Sequence, residues 1–218
     1  MKRLKLKCKP LDDLLGGGIE SGVITEVFGE AGSGKSNLCL QATRECASFG
    51  KKVAFVDSEG ISIERLNQIC KKEYNFKKIL DEIMFFTPNS FKSQEKIIKE
   101  ILENNNIELI VVDTLNLFYR INLEDDKEAT MRSFLRQMGT MQMAARKKDI
   151  FILVSEQVYT DKNGEIKPFT HRETEHMIKT SIKLEKKGIA KRNAIIMKHR
   201  SQPEGKTASF TINSSGLE

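Results

Sequence analysis

The distribution of apolar residues along the chain predicts strands that alternate with helices. Short, continuous apolar runs bounded by charged or turn residues are typical of parallel strands covered on both faces. The longer segments between them carry apolar residues at helical spacing. The predicted strands are 22–28, 53–57, 83–86, 108–113 and 149–155, and the predicted helices are 37–47, 61–70, 90–103 and 127–148. This order predicts an α/β fold with a mainly parallel sheet and helices on both of its faces.

The C-terminal part of the chain has a different pattern. Apolar and polar residues alternate at 181–186, 193–199 and 207–212, with short turns between these segments. Such alternation indicates antiparallel strands joined by hairpins, so we expect an antiparallel C-terminal extension of the sheet. Two polar segments, 114–128 and 158–173, show no period and are predicted to be loops.

The sequence between the first predicted strand and the following helix predicts a phosphate-binding loop. Residues 29–36, Gly-Glu-Ala-Gly-Ser-Gly-Lys-Ser, match G-x-x-x-x-G-K-[ST], and the flanking strand and helix are the context that this motif requires. Glycines let successive N–H groups turn inward, the lysine adds a charge for the β- and γ-phosphates, and the serine hydroxyl can bind Mg²⁺. The alternative is a glycine-rich turn with an incidental lysine. The predicted nucleotide-binding residues are Gly29, Glu30, Ala31, Gly32, Ser33, Gly34, Lys35, Ser36 and Asn37.

Two carboxylates follow predicted strands, at the edge of the sheet where ligands bind in open α/β folds. Asp113 ends the strand 108–113, and because a phosphate loop needs an Mg²⁺ partner, we predict that Asp113 binds the metal together with Ser36. The alternative for Asp113 is a cap on the following turn. Glu59 follows the strand 53–57 and is a candidate catalytic residue, or else a solvated glutamate at a strand end.

Composition favours a single domain. The 218 residues are 39% hydrophobic and 30% charged, which is enough for one substantial core. Residues 1–10 are predicted to be a basic N-terminal arm and residues 11–218 the core. The longest apolar runs are about five residues, far short of the roughly 20 that a membrane helix needs, and the N-terminus lacks the apolar region of a signal peptide. We therefore expect a cytoplasmic protein without a membrane segment.

Charge and cysteine content add two weaker indications. The net charge of +6 suits a polyanionic partner such as nucleic acid, but a basic surface that is merely solvated would give the same balance. No C-x-x-C pair and no metal-ligand spacing of histidines is present, so we predict reduced structural thiols and no zinc site. The residues concerned are Cys8, Cys39, Cys46, Cys70, His171, His176 and His199.

Four segments, in their order and spacing, resemble the ATPase core of the RecA/RadA recombinases: 14–36, 56–60, 110–113 and 155–158. The resemblance extends from Leu11 to the C-terminus, and segment 14–36 is most similar to the archaeal and eukaryotic branch. The sequence lacks that branch's N-terminal helix-hairpin-helix domain and its Phe-x-x-Ala linker, and therefore resembles the archaeal RadA paralogues that consist of the core. The resemblance implies a RecA-like P-loop NTPase fold.

The resemblance also implies roles for individual residues. Lys35, Ser36 and Asp113 match the phosphate-loop lysine, the Mg²⁺ hydroxyl and the Walker B carboxylate. Glu59 matches the carboxylate that polarises the attacking water, a task for which an acceptor near the γ-phosphate is needed. Gln157 matches the glutamine that senses the γ-phosphate and couples it to the second DNA-binding loop.

Further implied roles concern DNA. The two DNA-binding loops would be 117–126 and 158–173, and Arg120 matches a DNA-contacting arginine, although a lone arginine can also be plain surface charge. The basic triplet Lys198, His199 and Arg200 is a candidate for a cap on the ATP of a neighbouring subunit or for a DNA contact. The alternative for the triplet is a basic strand end in solvent.

Two departures from the family pattern shape the expected function. Glu156 stands where the recombinases usually have asparagine, and the second loop is short and acidic. We therefore expect a protein that binds Mg·ATP and single-stranded or branched DNA and assists a main recombinase of the RadA type. Hydrolysis of ATP to ADP and phosphate should be weak and a stable filament is not expected, while homo-oligomerisation stays open. The alternatives are a regulatory RecA-like ATPase acting on protein partners and a non-enzymatic adaptor for the main recombinase.

Overall fold

A computed structural model describes residues 1–70, 74–169 and 174–218. The strands in these residues are β1 (Arg3–Leu4), β2 (Ile19–Glu20), β3 (Ile24–Phe28), β4 (Lys52–Asp57), β5 (Ile83–Phe86), β6 (Ile107–Asp113), β7 (Phe151–Glu156), β8 (Val158–Thr160), β9 (Ile166–Pro168), β10 (Ile178–Lys186), β11 (Lys191–Lys198), β12 (Thr207–Asn213) and β13 (Gly216–Leu217). The helices are α1 (Lys9–Leu14), α2 (Lys35–Ser48), α3 (Ile63–Cys70), α4 (Phe76–Leu80), α5 (Phe91–Glu103), α6 (Leu117–Asn122) and α7 (Lys127–Lys148).

Nine of the described strands form the central sheet, in the order β13-β12-β11-β10-β3-β7-β6-β4-β5. The six strands from β10 to β5 are parallel to one another, while β11, β12 and β13 are antiparallel to their neighbours. The predicted fold class, a mainly parallel sheet with an antiparallel C-terminal extension, is confirmed. The parallel strands are nearly continuous in apolar residues because helices cover both of their faces.

Two core clusters lie on the two faces of the sheet. Successive residues of β4 alternate between them: Val53 and Phe55 face the cluster that contains α1 to α4, and Ala54 and Val56 face the cluster that contains α5 to α7. Helix α5 begins after Ser90, whose side chain accepts a hydrogen bond from the Ser93 N–H, as the sequence predicted. None of the described helices combines the length and the apolar character needed to cross a bilayer.

The two segments predicted as loops contain regular structure. Segment 114–128 includes α6, and this prediction was wrong because the Tyr119 ring is buried and stacks on Phe134 with the ring centroids 4.3 Å apart. Segment 158–173 includes a hairpin of β8 and β9, whose turn is held by Asp161. Residues 170–173, including His171, lie outside the described residues.

The four cysteines are free thiols, as predicted, and all are buried. Burial raises the pKa of Cys8 to about 11, of Cys46 to about 12 and of Cys70 to about 11, and also raises the pKa of Cys39. A raised thiol pKa disfavours the reactive thiolate. The cysteines therefore act as small apolar side chains of the core.

The first ten residues pack against the core along one face. Leu4, Leu6 and Cys8 are buried in the first core cluster, whereas Lys5 and Lys7 between them are exposed. Strand β1 pairs with β2 in antiparallel fashion at Arg3 and Leu4, and the alternation of buried and exposed residues continues beyond the strand to Cys8. The division into an arm and a core at residue 10 stays a prediction.

A buried glutamine on α2 joins distant parts of the chain to this helix. The Gln41 Nε2 donates hydrogen bonds to the main-chain carbonyls of Leu6 at 2.7 Å and Leu217 at 3.1 Å. Its Oε1 accepts from the Leu217 N–H at 2.7 Å. The amide of Gln41 is thereby satisfied in a position that is 1% exposed.

The packing of the N-terminal segment can be tested by a matched pair of substitutions. Leu6 is fully buried, so Leu6→Ala should lower the free energy of unfolding by about 2 to 4 kcal/mol, as for other large-to-small changes in a core. Lys5→Ala, at the exposed neighbouring position, should change it by less than about 0.5 kcal/mol. Urea unfolding of both variants measures the difference. Equal stabilities would show that the segment does not belong to the core.

Candidate functional site

The phosphate loop joins β3 to α2 and lies against the antiparallel extension of the sheet. Gly29 has a φ of +154°, and a Cβ at this position would lie 2.2 Å from the carbonyl oxygen of Leu184 on β10. Gly34, with a φ of +108°, is the N-cap of α2, and a Cβ there would lie 2.7 Å from Cδ1 of Ile212 on β12. A side chain at position 29 would collide with the backbone of β10, and both positions have positive φ angles that other residues rarely adopt, so the two glycines are needed for the shape of the loop.

Lys35 lies folded across the phosphate loop. Its Nζ donates hydrogen bonds to the carbonyls of Gly29 at 2.8 Å and Glu30 at 3.2 Å. Burial lowers the pKa of Lys35, and the nearby charges of Asp113 and Glu59 oppose that shift. The predicted lysine and both predicted carboxylates therefore lie within electrostatic reach of one another.

The residues present fit a nucleotide with Mg²⁺. The Ser33 hydroxyl in the loop is buried and has no hydrogen-bond partner among the described residues, which leaves a polar atom that a ligand could satisfy. The Ser36 side chain lies near the Asp113 carboxyl group and lowers its pKa, so the two predicted metal ligands lie together. A hydroxyl and a carboxylate are oxygen ligands of the kind that Mg²⁺ prefers.

Asp113 ends β6 and is 5% exposed. Burial raises the pKa of its carboxyl group, while the hydrogen bond from Ser155 and the nearby Ser36 side chain lower it. Ser155, on the neighbouring strand β7, donates its bond to Oδ1 of Asp113. The carboxylate is thus held in a fixed direction at the end of its strand.

Glu59 is presented by a loop that Asp57 organises. The Asp57 carboxylate accepts hydrogen bonds from the main-chain N–H groups of Glu59, Gly60 and Ile61 at 3.2, 2.8 and 2.6 Å. Asp57 itself is 8% exposed, whereas Glu59 is exposed at the carboxyl edge of the sheet. Our sequence reasoning missed Asp57, although an aspartate two residues before Glu59 is the pattern of an Asx turn.

Three predicted site residues from distant segments form a chain of hydrogen bonds. The Nε2 of Gln157 donates to Oε1 of Glu59, and the Nη1 of Arg120 donates to Oε1 of Gln157. The Arg120 guanidinium also lies over the Phe169 ring, 4.6 Å from its centroid. This chain connects the loop after β4 with α6 and with the β8–β9 hairpin.

Asn116 holds the strand end that carries Gln157. Its Nδ2 donates to Oε2 of Glu156 and to the carbonyl of Gln157, both at 3.0 Å, and its Oδ1 accepts from the Gln157 N–H at 2.9 Å. Glu156 is fully buried and raises the pKa of Tyr119, for which burial is the larger cause. Asn116 was missed because a lone asparagine after a strand carries no motif.

A groove of about 1120 Å³ lies between the β8–β9 hairpin, the junction of α6 and α7, and the sheet. Its lining includes aromatic and basic side chains, among them Tyr119, Tyr159, Phe169, Lys127, Lys167 and Lys198, together with three glutamates, Glu26, Glu165 and Glu175. Aromatic faces with cations nearby are the combination that single-stranded nucleic acids bind. Both segments predicted to contact DNA contribute to this groove.

The basic triplet lies away from the phosphate loop of its own chain. Strand β11 runs away from the loop: Arg192 near its start donates to the Gly32 carbonyl, whereas Arg200 beyond its end pairs with Glu20 ahead of β3, at 3.2 Å. Lys198 donates to the Glu175 carbonyl at 2.8 Å. His199 accepts main-chain hydrogen bonds at Nδ1, and burial lowers its pKa. A role in capping a neighbour's ATP or in binding DNA stays a prediction.

Arg65 was also missed. Its Nε donates to Oδ1 of Asn37, the last of the predicted nucleotide-binding residues, at 2.7 Å, and its Nη2 donates to the Asn213 carbonyl at 2.7 Å. Burial lowers the pKa of this guanidinium. Arg65 therefore holds the first turn of α2 against the end of β12.

Comparison with known proteins connects these features to a family. A family model described as Rad51 matches residues 2–218. The chain is 45% identical to the DNA repair and recombination protein RadB of Methanococcoides burtonii, covering 99% of this chain and 97% of that protein. It is 36% identical to the RadB of Thermoplasma acidophilum, covering 100% and 94%. A crystal structure of the RadB recombinase superposes with a TM-score of 0.87 at 35% identity, covering 99% of this chain and 98% of that one.

The buried charge of Asp113 predicts a trade between stability and ligand binding. An acid whose pKa is raised by folding binds its proton more tightly in the folded state than in the unfolded state. The free energy of unfolding therefore falls as the pH rises from the unfolded pKa to the folded pKa, and above the folded pKa the charged form destabilises the fold. Asp113→Asn should therefore raise the free energy of unfolding of the nucleotide-free protein at neutral pH. This increase in the free energy of unfolding should become smaller as the pH is lowered toward about 4, near the ordinary pKa of aspartate.

The measurement is chemical denaturation at a series of pH values, with Asp125→Asn as the control at an exposed position. The same variant should lose Mg²⁺-dependent nucleotide binding. Destabilisation by Asp113→Asn at neutral pH would contradict the argument.

Proposed function

The chain belongs to the Rad51 family, and from this premise we propose that it is a RadB-type DNA repair and recombination protein, which binds Mg·ATP and DNA and assists homologous recombination. The observation that carries the proposal is the hydrogen-bonded chain from Glu59 through Gln157 to Arg120. It links a candidate catalytic residue for ATP to a candidate DNA contact within one network. A protein whose DNA binding responds to nucleotide needs such a link.

The nucleotide site consists of the phosphate loop and the strand-end carboxylates. The loop N–H groups and Lys35 would bind the phosphates once the lysine leaves the carbonyls of Gly29 and Glu30. Ser36 and Asp113 would hold Mg²⁺, which neutralises phosphate charge when it is bound. Glu59 would accept a hydrogen bond from the attacking water and so orient it toward the γ-phosphate.

Slow hydrolysis of ATP to ADP and phosphate follows from the state of Glu59. Its Oε1 accepts a hydrogen bond from Gln157 and is therefore engaged before any water binds. The Gln157 amide would compete with water for this carboxylate, and its displacement would involve Arg120 because Arg120 binds the other end of the same amide. Nucleotide would then act mainly as a switch on the DNA-facing elements.

The DNA site is the groove between the β8–β9 hairpin and the α6–α7 junction. Bases can stack on the accessible aromatic rings of its lining, such as Tyr159, while its lysines, and Arg120 over the Phe169 ring, supply cations for the backbone. Unpaired bases are required for stacking of this kind, so single-stranded or branched DNA is the proposed ligand. The proposed protein partner is the main recombinase of the RadA type, which the protein would assist without exchanging strands itself.

Binding of a fluorescent single-stranded oligonucleotide, followed by anisotropy at several salt concentrations, tests the DNA proposal. The logarithm of the affinity should fall against the logarithm of salt with a slope of roughly −0.7 per phosphate contact. Arg120→Ala should weaken binding and reduce the slope by about one contact. Arg132→Ala, at an exposed arginine paired with Glu128 on α7, should match the wild type.

Mg·ATP should change the affinity of the wild type for the single-stranded oligonucleotide. If no salt-dependent binding occurs with or without nucleotide, the DNA proposal is wrong, and an ATPase or adaptor acting on protein partners is favoured instead.

The role of Glu59 predicts a separation of binding from hydrolysis. Glu59→Gln keeps the size and the hydrogen-bonding capacity of the side chain but removes the charge that orients water. Its turnover should fall by about 10²- to 10⁴-fold, the usual effect of losing such a group, with Mg·ATP affinity near that of the wild type. Glu64→Gln, an exposed neighbour on α3, should hydrolyse ATP normally. A wild-type rate in Glu59→Gln would exclude this role.

A further inference from the structure

Arg192 connects the phosphate loop to the turn between β10 and β11. This residue lies near the start of β11 and is 8% exposed, although the residues of the turn itself, 187–190, are exposed. We call residues 187–190 the hairpin tip. The Arg192 Nε donates to the Gly32 carbonyl in the phosphate loop at 3.1 Å. Its Nη1 donates to the carbonyls of Gly188, Ile189 and Lys191 at 3.1, 3.3 and 2.9 Å.

All the hydrogen bonds that the described residues provide to this guanidinium are with main-chain carbonyls. A planar guanidinium with donors in fixed directions can hold several carbonyls in a defined arrangement, which a lysine ammonium cannot do. Hydrogen bonds from a charged donor are also stronger than those between neutral groups. Arg192 is therefore suited to fix backbone geometry at the loop.

The bond to Gly32 controls the direction of a peptide group in the phosphate loop. In a trans peptide the carbonyl and the following N–H point in opposite directions, so holding the Gly32 oxygen also orients the N–H of Ser33. That N–H donates to the Glu30 carbonyl at 3.1 Å and closes a turn within the loop. The orientation of this peptide group decides how the loop presents its donors to an anion.

A second connection runs from the hairpin tip to the same loop. The Ala190 carbonyl accepts a hydrogen bond from the Ile212 N–H at 3.0 Å. The Ile212 side chain in turn lies against Gly34, where a Cβ would be 2.7 Å from Cδ1. The hairpin tip thus supports the loop at Gly32 through Arg192 and at Gly34 through Ile212.

We propose that Arg192 is a positioning residue for the phosphate loop, which fixes the Gly32–Ser33 peptide for nucleotide binding and joins the hairpin tip to the nucleotide site. This inference rests on the proposed function, because it requires the loop to bind nucleotide. Arg192 acts through the backbone and does not itself contact the phosphates. A ligand or a partner that moves the hairpin tip would change nucleotide affinity through this residue.

The test compares Arg192→Ala and Arg192→Lys with the wild type in the binding of a fluorescent ATP analogue and Mg²⁺. Both variants should weaken binding by about tenfold, the scale of one charge-assisted hydrogen bond. Arg192→Lys keeps the positive charge but loses the planar guanidinium with its fixed donor directions. This variant therefore distinguishes positioning of the backbone from simple electrostatic attraction of the phosphates. Lys191→Ala, at the exposed adjacent position, is the matched control and should bind like the wild type.

Two further measurements distinguish positioning from a general loss of structure. At a temperature well below the unfolding midpoint of each nucleotide-free variant, single-stranded DNA affinity without nucleotide should be unchanged. If Arg192→Ala does not fold at any temperature, Arg192→Lys decides the outcome.

The inference fails if the folded variants bind nucleotide like the wild type, or if Arg192→Lys fully restores binding that Arg192→Ala has lost. If the wild type itself binds no Mg·ATP, the nucleotide part of the proposed function fails, and this inference with it. If the wild type binds Mg·ATP and both variants bind it as tightly as the wild type, only this inference fails.

Discussion

The close approach of the phosphate loop to the antiparallel extension is the constraint on which the structure depends. At Gly29 the loop backbone passes a carbonyl of β10 with no room for a Cβ, and at Gly34, where φ is also positive, it packs against the Ile212 side chain of β12. The loop is therefore shaped by strands that follow it in sequence by more than a hundred residues. Strand β10 can serve as a wall because it lies beside β3, the strand that leads into the loop. The extension is thus part of the nucleotide site as well as an addition to the sheet.

The order of the parallel strands explains why the other site residues meet. Strands β3, β7, β6 and β4 are successive neighbours, so the residues that follow them emerge side by side at one edge of the sheet. Gln157 after β7 and Glu59 after β4 are hydrogen-bonded across the intervening end of β6, where Asp113 lies. Asp57 and Asn116, which bind main-chain groups, fix the two outer segments in place. The candidate catalytic residues, and the residues that hold them in place, thus follow neighbouring strands of the sheet.

The sequence was sufficient to predict those features that depend on residues close together along the chain. Continuous apolar runs identified the buried strands, and the glycine and lysine spacing identified the phosphate loop, because each signal lies within one segment. The helix α6 and the β8–β9 hairpin were missed, since they depend on the contact of Tyr119 with Phe134 and on a turn built around Asp161. Arg192 carries no motif, and its importance arises only where β11 passes the loop. Residues 4–8 alternate apolar residues with lysines, a pattern that is visible in the sequence, but we predicted only a basic arm there.

The bonds of Gln41 have a consequence for the order in which the protein can mature during synthesis. This glutamine lies on the helix that begins at the phosphate loop, and two of its hydrogen bonds are made with Leu217, 176 residues further along the chain. A growing chain leaves the ribosome with its N-terminal part first, so the buried amide lacks these partners until β13 has been translated. An unsatisfied buried amide is costly, and α2 cannot reach its final packing before then. The phosphate loop is encoded at residues 29–36, yet the helix that follows it is completed only after Leu217 has been translated.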